Sequence, residues 1–421
     1  MNATPTLAND AGSESRLCDA LQVGARFALV FVLPLYPLVP RFPLWGPFGT
    51  DDVIPVAVVA LAAAALLGAR RPAPLSPVLV ALGLVAAVAT LAALVSAGGL
   101  VAALVAAVRV AGRLALYGVV VLAITRLLAA GDRRRLLAML ATVAVLEGLV
   151  GVAAYAGKVQ GPWQTGMLAY PAEQMPAHGR VRVQGTFGGE VPEGQLFLNR
   201  ANFYSAYLVM GLAALGVFVD RRRRVRVIVG AAAIVAGVLV SFSRMSLLAA
   251  LLAGAVLALL HRRTITFAVV VAVTAVALAV VTPLRDRFLE FGNDRLQQWR
   301  IAARVIAAHP ALGVGDGRYL EEAYRLSAGI DVPETRTPHN SLLYAAASYG
   351  IPSGVALVGL YVTLIAVSAG AWRRRRTPAA AALVALVAAF LLHDVSNNLF
   401  FIPEVALAFW MAFAATSAEE A

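Results

Sequence analysis

His339 stands between Pro338 and Asn340-Ser341, where a polar stretch gives way to an apolar one. An imidazole at such a boundary titrates near neutral pH and can serve as a general base, although a lone histidine can equally be structural. His393-Asp394 occupies a second boundary and supports a weaker form of the same reading. His309, directly before Pro310, reads as a helix terminus. The polar segments on the same side of the apolar runs as His339 are rich in arginine: Arg180, Arg182, Arg200, Arg244, Arg285, Arg287, Arg295, Arg300, Arg304, Arg318, Arg325 and Arg336. Guanidinium groups stay charged and pair bidentately with phosphate oxygens, so several converging on one point suit a diphosphate. The alternative is that they bind anionic lipid headgroups or pair with Glu190, Glu193, Asp286, Glu290, Glu321 and Glu322.

Other chemistries lack their signals. There is no GxxxxGK[ST] loop, HExxH helix or GxSxG elbow, which removes the usual marks of nucleotide-driven transport, zinc proteolysis and serine hydrolysis. Cys18 is the only cysteine, so neither an intramolecular disulfide framework nor a cysteine-rich metal site can form. No cofactor and no metal are expected. The net charge of +12 would ordinarily raise nucleic acid as a partner, but most arginines sit in short clusters between apolar runs, a pattern that sets membrane topology. No nucleic-acid partner is expected.

The elements that must position these residues are membrane helices. The chain is 60% hydrophobic and 14% charged, more apolar than a water-soluble surface allows. A span needs roughly 20 apolar residues. Such windows run Val23 to Val39, Val53 to Ala69, Leu75 to Ser96, Leu100 to Ile124, Leu136 to Tyr155, Ala201 to Val219, Val227 to Phe242, Met245 to Leu260, Ile265 to Val281, Ser341 to Ser368 (long enough to kink at Pro352), Ala379 to Leu392 and Ile402 to Thr416. The predicted fold is an all-α integral membrane protein of about twelve transmembrane helices.

Arg70/Arg71, Arg133 to Arg135, Arg221 to Arg224, Arg262/Arg263 and Arg373 to Arg376 fall at every second loop. By the positive-inside rule they place both termini in the cytoplasm, with Met1 to Asp19 read as a polar tail. Five regions follow: 1–157, the tail and first five spans; 158–200, a first outer segment; 201–283, four spans; 284–340, a large outer helical segment; and 341–421, the last three spans. Within the larger outer segment, Asp294 to His309 reads as an amphipathic helix with Leu296, Trp299, Val305 and Ile306 on its apolar face, able to lie at the membrane surface. Gly313 to Gly317 reads as a flexible turn, and a short helix is predicted over Tyr319 to Leu326. Inside the membrane, Arg109 and Arg113 share a helix face and Glu147 lies mid-span. Such charges are costly, and imply either an Arg/Glu pair or a role near a lipid substrate.

Several outer stretches resemble the O-antigen ligase and polymerase superfamily of bacterial glycosyltransferases. They are Arg182-Val-Gln-Gly185-Thr-Phe with Asn199-Arg-Ala-Asn202, Ser241-Phe-Ser243-Arg244, Arg295-Leu-Gln-Gln-Trp299 leading to His309-Pro-Ala-Leu-Gly-Val-Gly315, and Pro338-His339-Asn340-Ser341 with Tyr349-Gly350-Ile-Pro-Ser-Gly354. The resemblance covers about Arg182 to Gly354 and is greatest to the ligases. It implies a fold like that of GT-C-type glycosyltransferases and metal-independent, inverting transfer of a glycan from undecaprenyl pyrophosphate to a hydroxyl of lipid A core. This takes place at the periplasmic face of the bacterial inner membrane. By the same resemblance His339 matches the catalytic histidine, and Arg182 and Arg295 match the arginines that hold the pyrophosphate. Arg244 and Asp394 are weaker matches, and Arg300, Arg109 and Arg113 are possible supports. The implied partners are the lipid-linked glycan donor, the lipid A core acceptor and membrane lipids. Two alternatives remain at this level: a polymerase extending glycan on its carrier, and a polyprenyl-lipid flippase, which would favour charged cavities and pseudo-symmetric halves.

Overall fold

The computed structural model describes residues 10–38, 43–45, 48–68, 76–156, 173–175, 180–182, 200–219, 224–261, 294–330 and 337–418. The predicted span Ile265 to Val281, the Arg70/Arg71 and Arg262/Arg263 clusters and most of the first outer segment lie outside them.

Among the described residues the structure is helical apart from two short antiparallel strand pairs, β1 (Pro43–Trp45) with β2 (Phe48–Gly49) and β3 (Glu173–Met175) with β4 (Arg180–Arg182). The N-terminal half contains α1 (Asp10–Phe27), α2 (Thr50–Leu67), α3 (Pro77–Ser96), α4 (Leu100–Leu127) and α5 (Ala130–Ala156). Then follow α6 (Arg200–Leu215), α7 (Arg224–Val240), α8 (Arg244–Leu260), α9 (Asp294–Ala308), α10 (Tyr319–Arg325), α11 (Ser341–Tyr349), α12 (Ile351–Arg375), α13 (Pro378–Asp394) and α14 (Pro403–Ser417). Local chemistry marks the boundaries: Ser76, Ser243, Asn340 and Thr377 each accept a backbone N–H at a helix start, satisfying donors that the first turn leaves open.

The bundle is built around α14, whose residues from Val405 to Thr416 are buried on every side. It packs against α4, α5, α6 and α13. Phe409 and Trp410 sit in T-shaped contact at 5.0 Å, and Tyr117 of α4 stacks on Trp410 at 6.3 Å. The outer helices show the reverse pattern. Val101 and Val108 of α4 are 76% and 71% exposed, and Val80, Leu84 and Leu91 of α3 are also bare. Water would not tolerate such a continuous apolar belt, whereas lipid does. Six described helices are long and apolar enough to cross a membrane, and four further apolar helices are shorter. This is a helical membrane protein.

Glycines bring helices close where small residues replace side-chain bulk. A Cβ on Gly148 of α5 would lie 2.5 Å from Ala233 O of α7, and one on Gly211 of α6 would lie 2.1 Å from Ala144 Cβ. At one end of the bundle, Arg375 donates to Ser417 O at 3.0 Å and Arg133 donates to Ala418 O. These clustered arginines therefore also satisfy carbonyls at the C-terminus of α14, where the helix dipole favours cations.

Three expectations change. The Ser341 to Ser368 span does not kink at Pro352 but breaks at Gly350, whose φ of 85° is open to glycine, and Pro352 lies in the first turn of the next helix. Gly313 to Gly317 is not a flexible turn. Val314 N and Gly315 N donate to Ala347 O (3.0 Å) and Ser348 O (2.9 Å), closing the carbonyls at the end of α11. The apolar stripe of α9 is Ile301, Ala302 and Val305, packed with Val314, Tyr319, Ala323 and Ala347, while Leu296 is exposed. Protein, rather than the membrane surface, covers this stripe.

A Cβ at Gly350 would fall 2.1 Å from Ala311 O in addition to the strained φ. Gly350→Ala is expected to destabilise the protein by about 2–4 kcal/mol in thermal unfolding in detergent. Gly359→Ala in α12, where nothing lies within 4 Å, should change stability by about 1 kcal/mol or less.

Candidate active site

The end of the bundle opposite the arginine-bound C-terminus of α14 gathers the starts of α6, α8, α9 and α11 around the end of α13. His339 sits in the turn before α11 at φ 46°, a left-handed conformation rare for a residue with a Cβ and typical of strained functional positions. Its neighbours hold it there. Trp299 Nε1 of α9 donates to Pro338 O at 2.9 Å. Asn340 caps α11 by accepting from Leu343 N at 3.0 Å, while its Nδ2 donates to Val395 O at 2.9 Å. The residue is 5% exposed. Burial is the main cause that lowers the His339 pKa from 6.5 to about 3, with the positive charge of Arg295 adding to it. His339 is therefore neutral at pH 7.

Arg295, in the first turn of α9, donates from Nη1 to Oε1 of the buried Gln298 at 3.1 Å. Its charge also acts on His393. Both histidines thus lie within its reach, on either side of the seam between α11 and α13. That seam is closed by Asp394: Oδ1 accepts from Ser341 Oγ at 2.7 Å and from Phe400 N at 2.9 Å, and Oδ2 accepts from Tyr361 OH. A carboxylate so occupied is a scaffold, not a proton acceptor for substrate. His393 Nε2 meets Ser246 Oγ at 2.7 Å, and Ser246 in turn meets Ser205 Oγ at 2.6 Å and Ser243 Oγ at 2.8 Å. Asn202 Nδ2 donates to Asn397 Oδ1 at 3.4 Å, tying the start of α6 to the same end.

The other predicted site residues divide. Arg244 opens α8 directly after the Ser243 cap, so it borders this cluster. Arg182 pairs with Glu173 through the backbone of β4, and its side chain lies outside the described residues. Arg300 is exposed and stands five residues beyond Arg295, roughly 140° around the helix, on a different face. Arg109 and Arg113 belong to a separate cluster. Arg109 Nη1 bonds Asp316 Oδ2 at 3.1 Å, and Tyr349 OH donates to Asp316 Oδ1 at 2.7 Å. Arg113 lies close to Tyr117, Tyr344, Tyr349 and Asp316. The ion pair of Arg109 is with the glycine turn, not with Glu147, because that turn folds back over α4.

Nothing in the sequence singled out Gln298, Asp316 or Ser246. Among the described residues no three His, Cys, Asp or Glu side chains come together as metal ligands. Between α3 and α4 runs an apolar groove of about 530 Å³, lined by Leu82, Gly83, Leu91, Leu114 and Gly118.

Residues 229–358 match the family model described as O-antigen ligase. The similarity to the O-antigen ligase superfamily covers 130 of the 421 residues. No curated protein matches the chain. The superfamily match takes in α8 to α11 with most of α7 and the start of α12, and so includes Arg244, Arg295 and His339. Arg182, His393 and Asp394 lie outside it.

Because the folded His339 takes a proton only near pH 3 and the unfolded ring near 6.5, its contribution to stability is whole above about pH 6.5 and is lost progressively as pH falls toward 3. His339→Gln should flatten this part of the stability profile, read as Tm between pH 7 and pH 4. Arg295→Gln should raise the titration point of His339 in an NMR titration yet leave it below 6.5, since burial is the larger cause.

Proposed function

We propose that the protein is an O-antigen ligase, transferring glycan from undecaprenyl pyrophosphate to a sugar hydroxyl of lipid A core. The observation that carries this reading is the buried, neutral, conformationally strained His339 beside Arg295, both within the superfamily domain. In the proposed reaction His339 takes the proton of the acceptor hydroxyl as its oxygen bonds to the anomeric carbon. The bond from that carbon to the diphosphate breaks, and undecaprenyl diphosphate leaves with the electron pair. Attack from the opposite face inverts the anomeric centre. Diphosphate is a good leaving group, so what the protein supplies is charge stabilisation by preorganised donors: Arg295, with Arg182 and Arg244. A diphosphate against Arg295 also offsets the positive charge that helps to depress His339, strengthening the base once donor is bound. No metal takes part in the proposed step.

This reading places the protein in the bacterial inner membrane with about twelve spans in a GT-C-like arrangement, both termini in the cytoplasm and the site facing the periplasm. Regions 158–200 and 284–340 would then be periplasmic, between span groups 1–157, 201–283 and 341–421. The groove between α3 and α4 offers an apolar track of the kind a polyprenyl tail needs.

Wild type in nanodiscs, with EDTA present, is expected to move glycan from the lipid-linked donor onto lipid A core. His339→Ala and Arg295→Ala should each lower the rate about 10²-fold or more while the protein stays folded. Lengthening of glycan on its carrier without transfer to lipid A core would make the protein a polymerase, and no transfer with intact folding would point to transport.

A further inference from the structure

His393 at the end of α13 has no part in the reaction proposed above, yet it is fully buried and lies across the α11–α13 seam from His339. Its Nε2 contacts Ser246, and its Nδ1 has no hydrogen-bond partner among the described residues. Counting hydroxyl hydrogens assigns the ring proton. Ser205 Oγ lies 2.7 Å from Ala201 O, which can only accept, so the Ser205 hydrogen goes there. The 2.6 Å contact from Ser246 to Ser205 then uses the single hydrogen of Ser246. Ser246 can therefore only accept from Ser243 at 2.8 Å and from His393 at 2.7 Å. His393 carries its proton on Nε2 and presents a bare lone pair at Nδ1.

A buried acceptor without a donor is destabilising, and a ligand that supplies the donor removes that cost. The charge of Arg295 reaches this ring, so a cationic donor is repelled, and a diphosphate has no proton to give at neutral pH. A neutral hydroxyl donor meets both constraints, and glycans are dense in hydroxyls. We propose that Nδ1 of His393 accepts a hydrogen bond from a sugar hydroxyl at the transfer site, beside the hydroxyl that His339 deprotonates. The inference rests on the transferase reading. It makes His393 a substrate-binding residue, with Ser246, Ser205 and Ser243 fixing its tautomer.

Two substitutions separate the ring nitrogens. In His393→Asn the amide oxygen stands near the Nδ1 position and the Ser246 contact is lost, whereas in His393→Gln the amide nitrogen reaches Ser246 and the Nδ1 acceptor is lost. With full-length protein in nanodiscs, the glutamine variant is expected to raise KM for one sugar substrate about tenfold, the loss of roughly one hydrogen bond. The asparagine variant should retain more activity than the glutamine variant. Whether KM rises for the lipid A core or for the lipid-linked glycan tells which sugar supplies the hydroxyl. A glutamine variant equal to wild type, or two variants equally impaired, overturns the proposal. Nitrogen NMR of histidine-labelled wild type reads the site without catalysis: the His393 signal, assigned by its loss in His393→Gln, should show an unprotonated Nδ1 that shifts when core oligosaccharide or donor glycan is added. A protonated Nδ1, or no shift with either sugar, overturns the proposal even if glycan transfer proceeds. Absence of transfer by wild type would instead count against the ligase reading itself.

Discussion

The geometry of this end of the protein depends on one buried carboxylate. Asp394 holds Ser341, Tyr361 and the backbone N–H of Phe400 at once, and so joins α11, α12, α13 and the turn leading into α14 at a single point. A carboxylate with 1% exposure is costly unless its oxygens are satisfied, and here the partners come from elements far apart in sequence. Ser341 is two residues from His339, and Asn340 between them makes a second link to Val395. The left-handed backbone of His339 persists because its surroundings hold it from both sides, with Trp299 bound to the preceding carbonyl.

The second constraint is that positive charge must be kept in a place poor in water. The two sets of arginines at the His339 end of the bundle solve this differently. Arg109 is neutralised by Asp316, a residue of the glycine turn, so its charge goes to fastening α4 against the docked segment. Arg295 acts on two buried histidines and bonds a buried glutamine. The hydrogen bond to Gln298 orients the guanidinium. The division into a structural and a functional cluster follows from the partners, since both sets of arginines look alike in sequence.

Close backbone packing ties the two ends together. Glycine contacts among α5, α6 and α7 bring those helices near enough for Tyr204 OH to reach Glu147 O at 2.9 Å, and Gly313, Gly315 and Gly350 let the α9–α10 segment seat on the end of α11. With no hydrophobic drive between helices in lipid, such contacts and buried hydrogen bonds carry the association.

The sequence by itself determined the solvent and the helices. Apolar runs of fixed minimum length, arginine clusters at alternate loops and capping residues such as Ser76 and Thr377 are local or periodic signals, and most predicted boundaries fall within a few residues of the observed helices. It also singled out His339 and Arg295 and ordered the stretches resembling the superfamily, whose match extends over residues 229–358. Only the tertiary structure decided which side chains share a point in space. That Arg109 pairs with Asp316 rather than Glu147, that Asp394 is a scaffold, and that Ser246 sets the tautomer of His393 each depends on contacts spanning from six to more than two hundred residues. Hydropathy and spacing record the environment of a residue but not its partner, because helix packing, fixed by where glycines permit close approach, selects that partner from elsewhere in the chain.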